Sequence, residues 1–192
     1  MIRVCYLAIA VCSIVMGGCA NPLNRATSDR YTRMCSEAFQ NQLLDVAENA
    51  CYRALVNVDI GNLGPELKSQ RLLNLALVKR ALGKFDEAEA LLQESLRIEE
   101  TLTGPSSEKV GRRLAELAVV KYQKAQYIEG IPFIERLEPI ANKFTGEERL
   151  FVATLLRCYA NRAEQAGYMA WAGRVKETSL ALKVLKDDSK CE

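Results

Sequence analysis

The chain has 192 residues, 49% of them hydrophobic, with 26 basic against 24 acidic side chains for a formal net charge of +2. That is one domain's length with ample material for a core, and so near neutrality that it carries no sequence-wide footprint for nucleic acid. Histidine is absent, which excludes Ser-His-Asp and Cys-His nucleophilic arrangements and any zinc site built on imidazole. No Gly-rich phosphate loop, metal-ligand spacing or nucleophile elbow occurs either. The acidic pairs Glu99-Glu100 and Glu147-Glu148 are expected on repeat-ending loops and solvated helix faces rather than in a closed pocket. The expectation is a protein that is not an enzyme, with no cofactor and no metal.

The N-terminus reads as an address. Arg3 precedes an apolar run from Val4 to Met16. Thirteen helical residues span only about 20 Å, short of the hydrocarbon core, so residues 1–18 form a secretory signal peptide rather than a transmembrane helix. The run ends in Met16-Gly17-Gly18-Cys19, which resembles a bacterial lipobox, with Met16 where leucine is usual. That resemblance implies lipidation of Cys19, which becomes the first residue of the mature chain. Ala20 stands where aspartate would resemble an inner-membrane retention signal, so the implied location is the outer membrane, facing the periplasm. Residues 19–28, polar and containing Pro22, read as the lipidated cysteine and a tether.

Beyond the tether the chain repeats itself. Leu75-Ala76-Leu77-Val78-Lys79 returns as Leu117-Ala118-Val119-Val120-Lys121, forty-two residues later. Leu44, Phe85, Tyr127 and Tyr168 follow one another at steps of 41 or 42, and Ala47, Ala88 and Gly130 keep the same register. Gly64-Pro65 and Gly104-Pro105 punctuate the units, each of which reads as two helices by 3.6-residue periodicity.

The second unit, Asn74-Leu75-Ala76, Ala81-Leu82-Gly83-Lys84-Phe85 and Glu87-Ala88-Glu89-Ala90-Leu91-Leu92, resembles the tetratricopeptide repeat, in the longer form found in kinesin light chains. Ala76 and Ala88 are small where two helices would cross, Gly83 ends the first helix, and Leu92 and Leu96 point to the core. The third unit has Ala125 at the turn, the first has Cys35 at the first small position, and the fourth fits after a one-residue slip. The implied fold is all-α: a right-handed superhelical solenoid of about four helical hairpins over residues 29–186, with a tail at 187–192.

The resemblance also implies a concave groove lined by the first helix of each unit, here Leu73, Leu77, Arg80, Arg112, Val119, Tyr122, Gln123 and Arg157. This mixture suits an amphipathic segment with some negative charge, contributed by another envelope protein. The lysine and asparagine positions of carboxylate-clamping chaperone repeats are not reproduced. Lys79, Lys121 and Arg162 form a column at steps of 42 and 41, either a ladder for an acidic partner or last-turn cations offsetting helix dipoles. The last helix, with Trp171, Val175, Leu180, Leu182, Val184 and Leu185, is a candidate face for weak self-association. The expected role is a membrane-anchored interaction scaffold. The alternatives are a pilotin or accessory subunit for secretin or pilus assembly, and an adaptor for cell-wall enzymes.

Seven cysteines are present. Cys5 and Cys12 leave with the signal peptide and Cys19 takes lipid, so four remain for an oxidising compartment. The first hairpin turns near residue 43, which puts Cys35 and Cys51 at one height on antiparallel helices and predicts their disulfide. Cys158 and the tail residue Cys191 form the second predicted pair, since a few extended residues return from the last helix to that height.

Overall fold

The computed structural model describes residues 21–182, which form eight α-helices and one short 3-10 segment. In chain order they are α1 (Pro22–Gln40), α2 (Leu44–Ile60), α3 (Pro65–Ala81), α4 (Phe85–Thr103), α5 (Glu108–Gln123), α6 (Tyr127–Leu137), the 3-10 turn Glu138–Lys143, α7 (Gly146–Gln165) and α8 (Met169–Leu182). They pair as four antiparallel hairpins stacked side by side, the all-α solenoid expected from the repeat. The expected signal peptide, Cys19 and the expected 187–192 tail lie outside the described residues.

One boundary differs from expectation. Residues 22–28 are not a tether but the first two turns of α1. The Asn21 side chain accepts the Leu23 N–H at 3.0 Å, and Pro22 sits where a missing donor costs nothing. Polar composition hid a capped helix start, so the folded body begins three residues after Cys19.

The turns show why a 41–42 residue step suffices. Each hairpin reverses through one left-handed residue: Gln42 (φ 60°), Gly83 (φ 73°), Ala125 (φ 57°) and Gly167 (φ 90°). Only glycine takes that conformation without a Cβ penalty, so Gln42 and Ala125 are held there by the packing on either side. The third unit departs from its neighbours at its end. Pro139 lacks the N–H needed to continue the α6 ladder, and the chain tightens into the 3-10 turn.

Small residues set the distance between helices within each hairpin. Ser28 donates to the Ala54 carbonyl at 2.9 Å, Ser95 to the Ser69 carbonyl at 2.9 Å, and Ser179 to the Ala153 carbonyl at 2.7 Å. Gly111 holds the corresponding place in the third hairpin, where a Cβ would fall 2.7 Å from the Phe144 ring. Gly130 is equally committed. A Cβ there would lie 2.0 Å from the Tyr159 hydroxyl, which is buried and donates to the Ala118 carbonyl at 2.6 Å.

Two buried arginines tie neighbouring hairpins together. Arg71 of α3 reaches back to Ser28 (3.2 Å) and Asp29 (2.6 Å) on α1. Forty-two positions on, Arg113 of α5 donates to Ser95 (3.1 Å), Ser69 (3.2 Å) and Glu99 (3.1 Å). Around these bonds the core is aliphatic: Leu72, Leu92, Leu114, Leu117, Ile134 and Leu156 are essentially inaccessible. The expected self-association face is not continuous. Val175 and Leu182 turn into the core and Trp171 packs against it, while Leu180 is exposed. Val184 and Leu185 lie outside the described residues.

Candidate functional site

The first helices α3, α5 and α7 lie side by side and enclose a groove of about 380 Å³. Leu73 and Leu77 come from α3, Arg112, Ala115 and Glu116 from α5, and Glu147, Glu148, Phe151 and Val152 from α7, with Phe144 behind. The hollow has a local cause. Ala115 occupies the column that Leu73 holds one repeat earlier, and the shorter side chain leaves space between flanking helices. Phe151, 43% exposed, forms one wall.

Polar groups in this groove are cross-connected. Arg112 bonds Glu108 at 2.6 Å within α5 and Glu148 at 2.9 Å across to α7. Arg80 lies 3.3 Å from Glu116, bridging α3 and α5. Glu147 and Glu148 stand in the first turn of α7, where the helix dipole favours negative charge. Burial pushes the Glu116 carboxyl above its usual value, with the nearby Arg80 charge acting in the opposite direction.

Of the eight groove residues expected from sequence, Leu73, Leu77 and Arg112 line this cavity, and Arg80 joins it through Glu116. The others are elsewhere or differently occupied. Val119 and Tyr122 pack on the core. The Tyr122 ring is 4.9 Å from Tyr127 and 5.6 Å from Tyr159 in edge contacts. Gln123 is exposed, and Arg157 is half-buried with an interaction of its own. The expected preference for negative charge does not fit this arrangement, because groove carboxylates already answer both arginines. Glu116, Glu147, Glu148 and Phe151 were missed, since nothing in a one-dimensional pattern brings α7's first turn beside Arg112.

The column of cations is also accounted for. Lys79, Lys121 and Arg162 each lie in the last turn of their helix. Lys79 is clasped by Glu48 at 2.5 Å and by Glu87, and Lys121 by Glu89 at 2.7 Å. Arg162 donates to the Tyr122 hydroxyl at 3.3 Å and stacks 4.9 Å from the Tyr127 centroid. These cations are engaged with neighbouring units rather than arrayed for an acidic ligand.

Cys35 and Cys51 are joined, with Cα atoms 5.2 Å apart. Cys158 is also disulfide-bonded; Cys191, its expected partner, lies outside the described residues. No group of three or more potential metal-binding side chains occurs among the described residues.

Comparison with known proteins agrees with this geometry. The tetratricopeptide repeat profile matches residues 67–143. BtubC (BKLC) from P. vanneervenii superposes with a TM-score of 0.72 at 18% identity, over 87% of this chain and 68% of that one. A putative kinesin light chain from Podosopora anserina, with nearly identical TPR-like repeats, gives a TM-score of 0.63 at 17% identity, covering 81% of this chain and 74% of its own. A search of curated proteins found no match. At these identities the structural likeness establishes the fold: a tetratricopeptide-type solenoid.

Proposed function

We propose that this chain is an interaction scaffold of the bacterial envelope, lipid-anchored at Cys19 in the outer membrane and seating a segment of a client protein between α3, α5 and α7. The observation that carries the reading is the groove itself. Leu73, Leu77, Ala115, Phe151 and Val152 offer apolar seats, while Arg80, Arg112 and Glu116 supply orienting polar groups, the composition expected of a recognition surface. An open trough between helices does not exclude water as catalysis usually requires, which favours a binding role over an enzymatic one. The anchor reading rests on the lipobox resemblance. No described helix is long and apolar enough to cross a membrane. With α1 starting at Pro22, the body sits against the bilayer surface and meets clients at or near it. Pilotin, assembly-machine subunit and cell-wall-enzyme adaptor are all compatible roles.

Phe151→Asp tests the groove with little risk to folding, since this ring is part-exposed. It should abolish retention of crosslinked envelope clients and leave the melting temperature unchanged. Arg97→Glu, on the exposed side of α4, should retain them. Loss of clients from the Arg97 variant alone would move the interface to the second helices.

A further inference from the structure

Arg80 Nε and Glu116 Oε2 face each other at 3.3 Å in the groove as an ion pair without a well-aligned hydrogen bond, and the buried Arg112 Nε near them has no hydrogen-bond partner. A buried polar atom without an aligned partner is costly, so a groove wall with hydrogen-bonding capacity to spare favours an occupant that can use it. A peptide brings carbonyl oxygens that can accept from Arg112, above an apolar floor that includes Leu73, Leu77, Phe151 and Val152.

The charge balance decides which side chain that peptide carries. The groove and its rim hold two arginines, Arg80 and Arg112, and four carboxylates, Glu108, Glu116, Glu147 and Glu148. That is two positive charges against four negative, a net of −2, with Arg80 and Arg112 already in ion pairs. Arg149, next to Glu148, does not correct the excess: its guanidinium donates to the Leu182 carbonyl at 2.8 Å. An acidic segment would press its carboxylate against Glu147 and Glu148 as water leaves, where like charges repel most strongly. A cation does the reverse, adding positive charge where four carboxylates share two arginines.

We infer that the groove is specific for an apolar peptide segment carrying a lysine or arginine, whose cation lies between Glu116 and the α7 pair Glu147 and Glu148. This inference rests on the groove being the client site. The occupant is thus a basic amphipathic stretch of another protein, opposite in sign to what the arginines alone suggest.

Selection from a random peptide display library against the full-length chain in detergent tests it. Retained peptides should be enriched several-fold in Lys and Arg over Asp and Glu, relative to the unselected library. That bias should vanish on the Glu147→Gln/Glu148→Gln variant, whose substitutions are exposed and leave the fold intact. Adding Glu116→Gln should lower retention of the same peptides further. Peptides lost on Phe151→Asp but showing no basic bias, or an acidic one, would overturn the charge inference while leaving the groove in place. Peptides held equally by Phe151→Asp, or none held at all, would remove the groove reading and this inference with it.

Discussion

Replacing Arg113 with alanine should destabilise the chain by about 3–5 kcal/mol, because it leaves a buried carboxylate without its counter-charge. Glu99 is 1% exposed and its Oε1 meets the Arg113 guanidinium at 3.1 Å. The same guanidinium joins both serines of the second hairpin, so its loss also removes the buried hydrogen-bonded link from the α3/α4 pair to α5. The damage should therefore be local to the junction. Hydrogen exchange in α4 and α5 should accelerate far more than in α7 and α8, since a solenoid's stability is a sum of neighbouring interfaces. Removing both charges, as Arg113→Met with Glu99→Met, should recover much of the loss. A single substitution costing under about 1 kcal/mol, or a double as damaging as the single, would contradict the assignment of this pair as the tie between hairpins.

Loss of the Cys35–Cys51 bridge should be nearly as costly, but confined to the other end. The cysteines are 16 residues apart in sequence, and a closed loop of that size contributes about 3 kcal/mol by the chain-entropy estimate. Among the described residues the first hairpin packs chiefly on α3, which leaves little else to offset the loss. In the Cys35→Ala/Cys51→Ala variant, α1 and α2 should exchange their amides on the scale of local fraying, with the second to fourth hairpins unchanged. Because α1 begins beside the proposed anchor, this fraying would loosen the connection between body and membrane. Protection in α1 and α2 equal to that of the parent chain would show that packing alone secures the end hairpin.

Much of this architecture is legible in the chain because the repeat is covalent information. Leu75 and Leu117, Ala76 and Ala118, and Phe85 and Tyr127 mark equivalent positions whatever the superhelix does, and Cys35 and Cys51 are equidistant from a turn that α1 and α2 share. What the sequence hides falls into two kinds. The start of α1 looked like linker because Asn21-Pro22 is common to turns and to helix caps, and only the hydrogen bond to Leu23 distinguishes them. The groove's charge was hidden for a different reason. Arg112 and Glu148 are 36 residues apart and do not repeat, so their pairing depends on how far α7 is rotated against α5. Arg71 and Arg113 are an intermediate case. They stand 42 residues apart, close to the 41 that separate Ser28 and Ser69, which they bind, and only the rarity of buried arginine argued against seeing them as core.

The central claim, that clients lie across the first helices, is most directly tested by a photocrosslinking residue placed singly at Phe151, Leu77 and Arg97 of the full-length chain in intact cells. The account predicts adducts of one common size from positions 151 and 77, absent at 97 and suppressed by Glu147→Gln/Glu148→Gln in the same chain. Adducts formed at 97 and missing at 151 and 77 would contradict it.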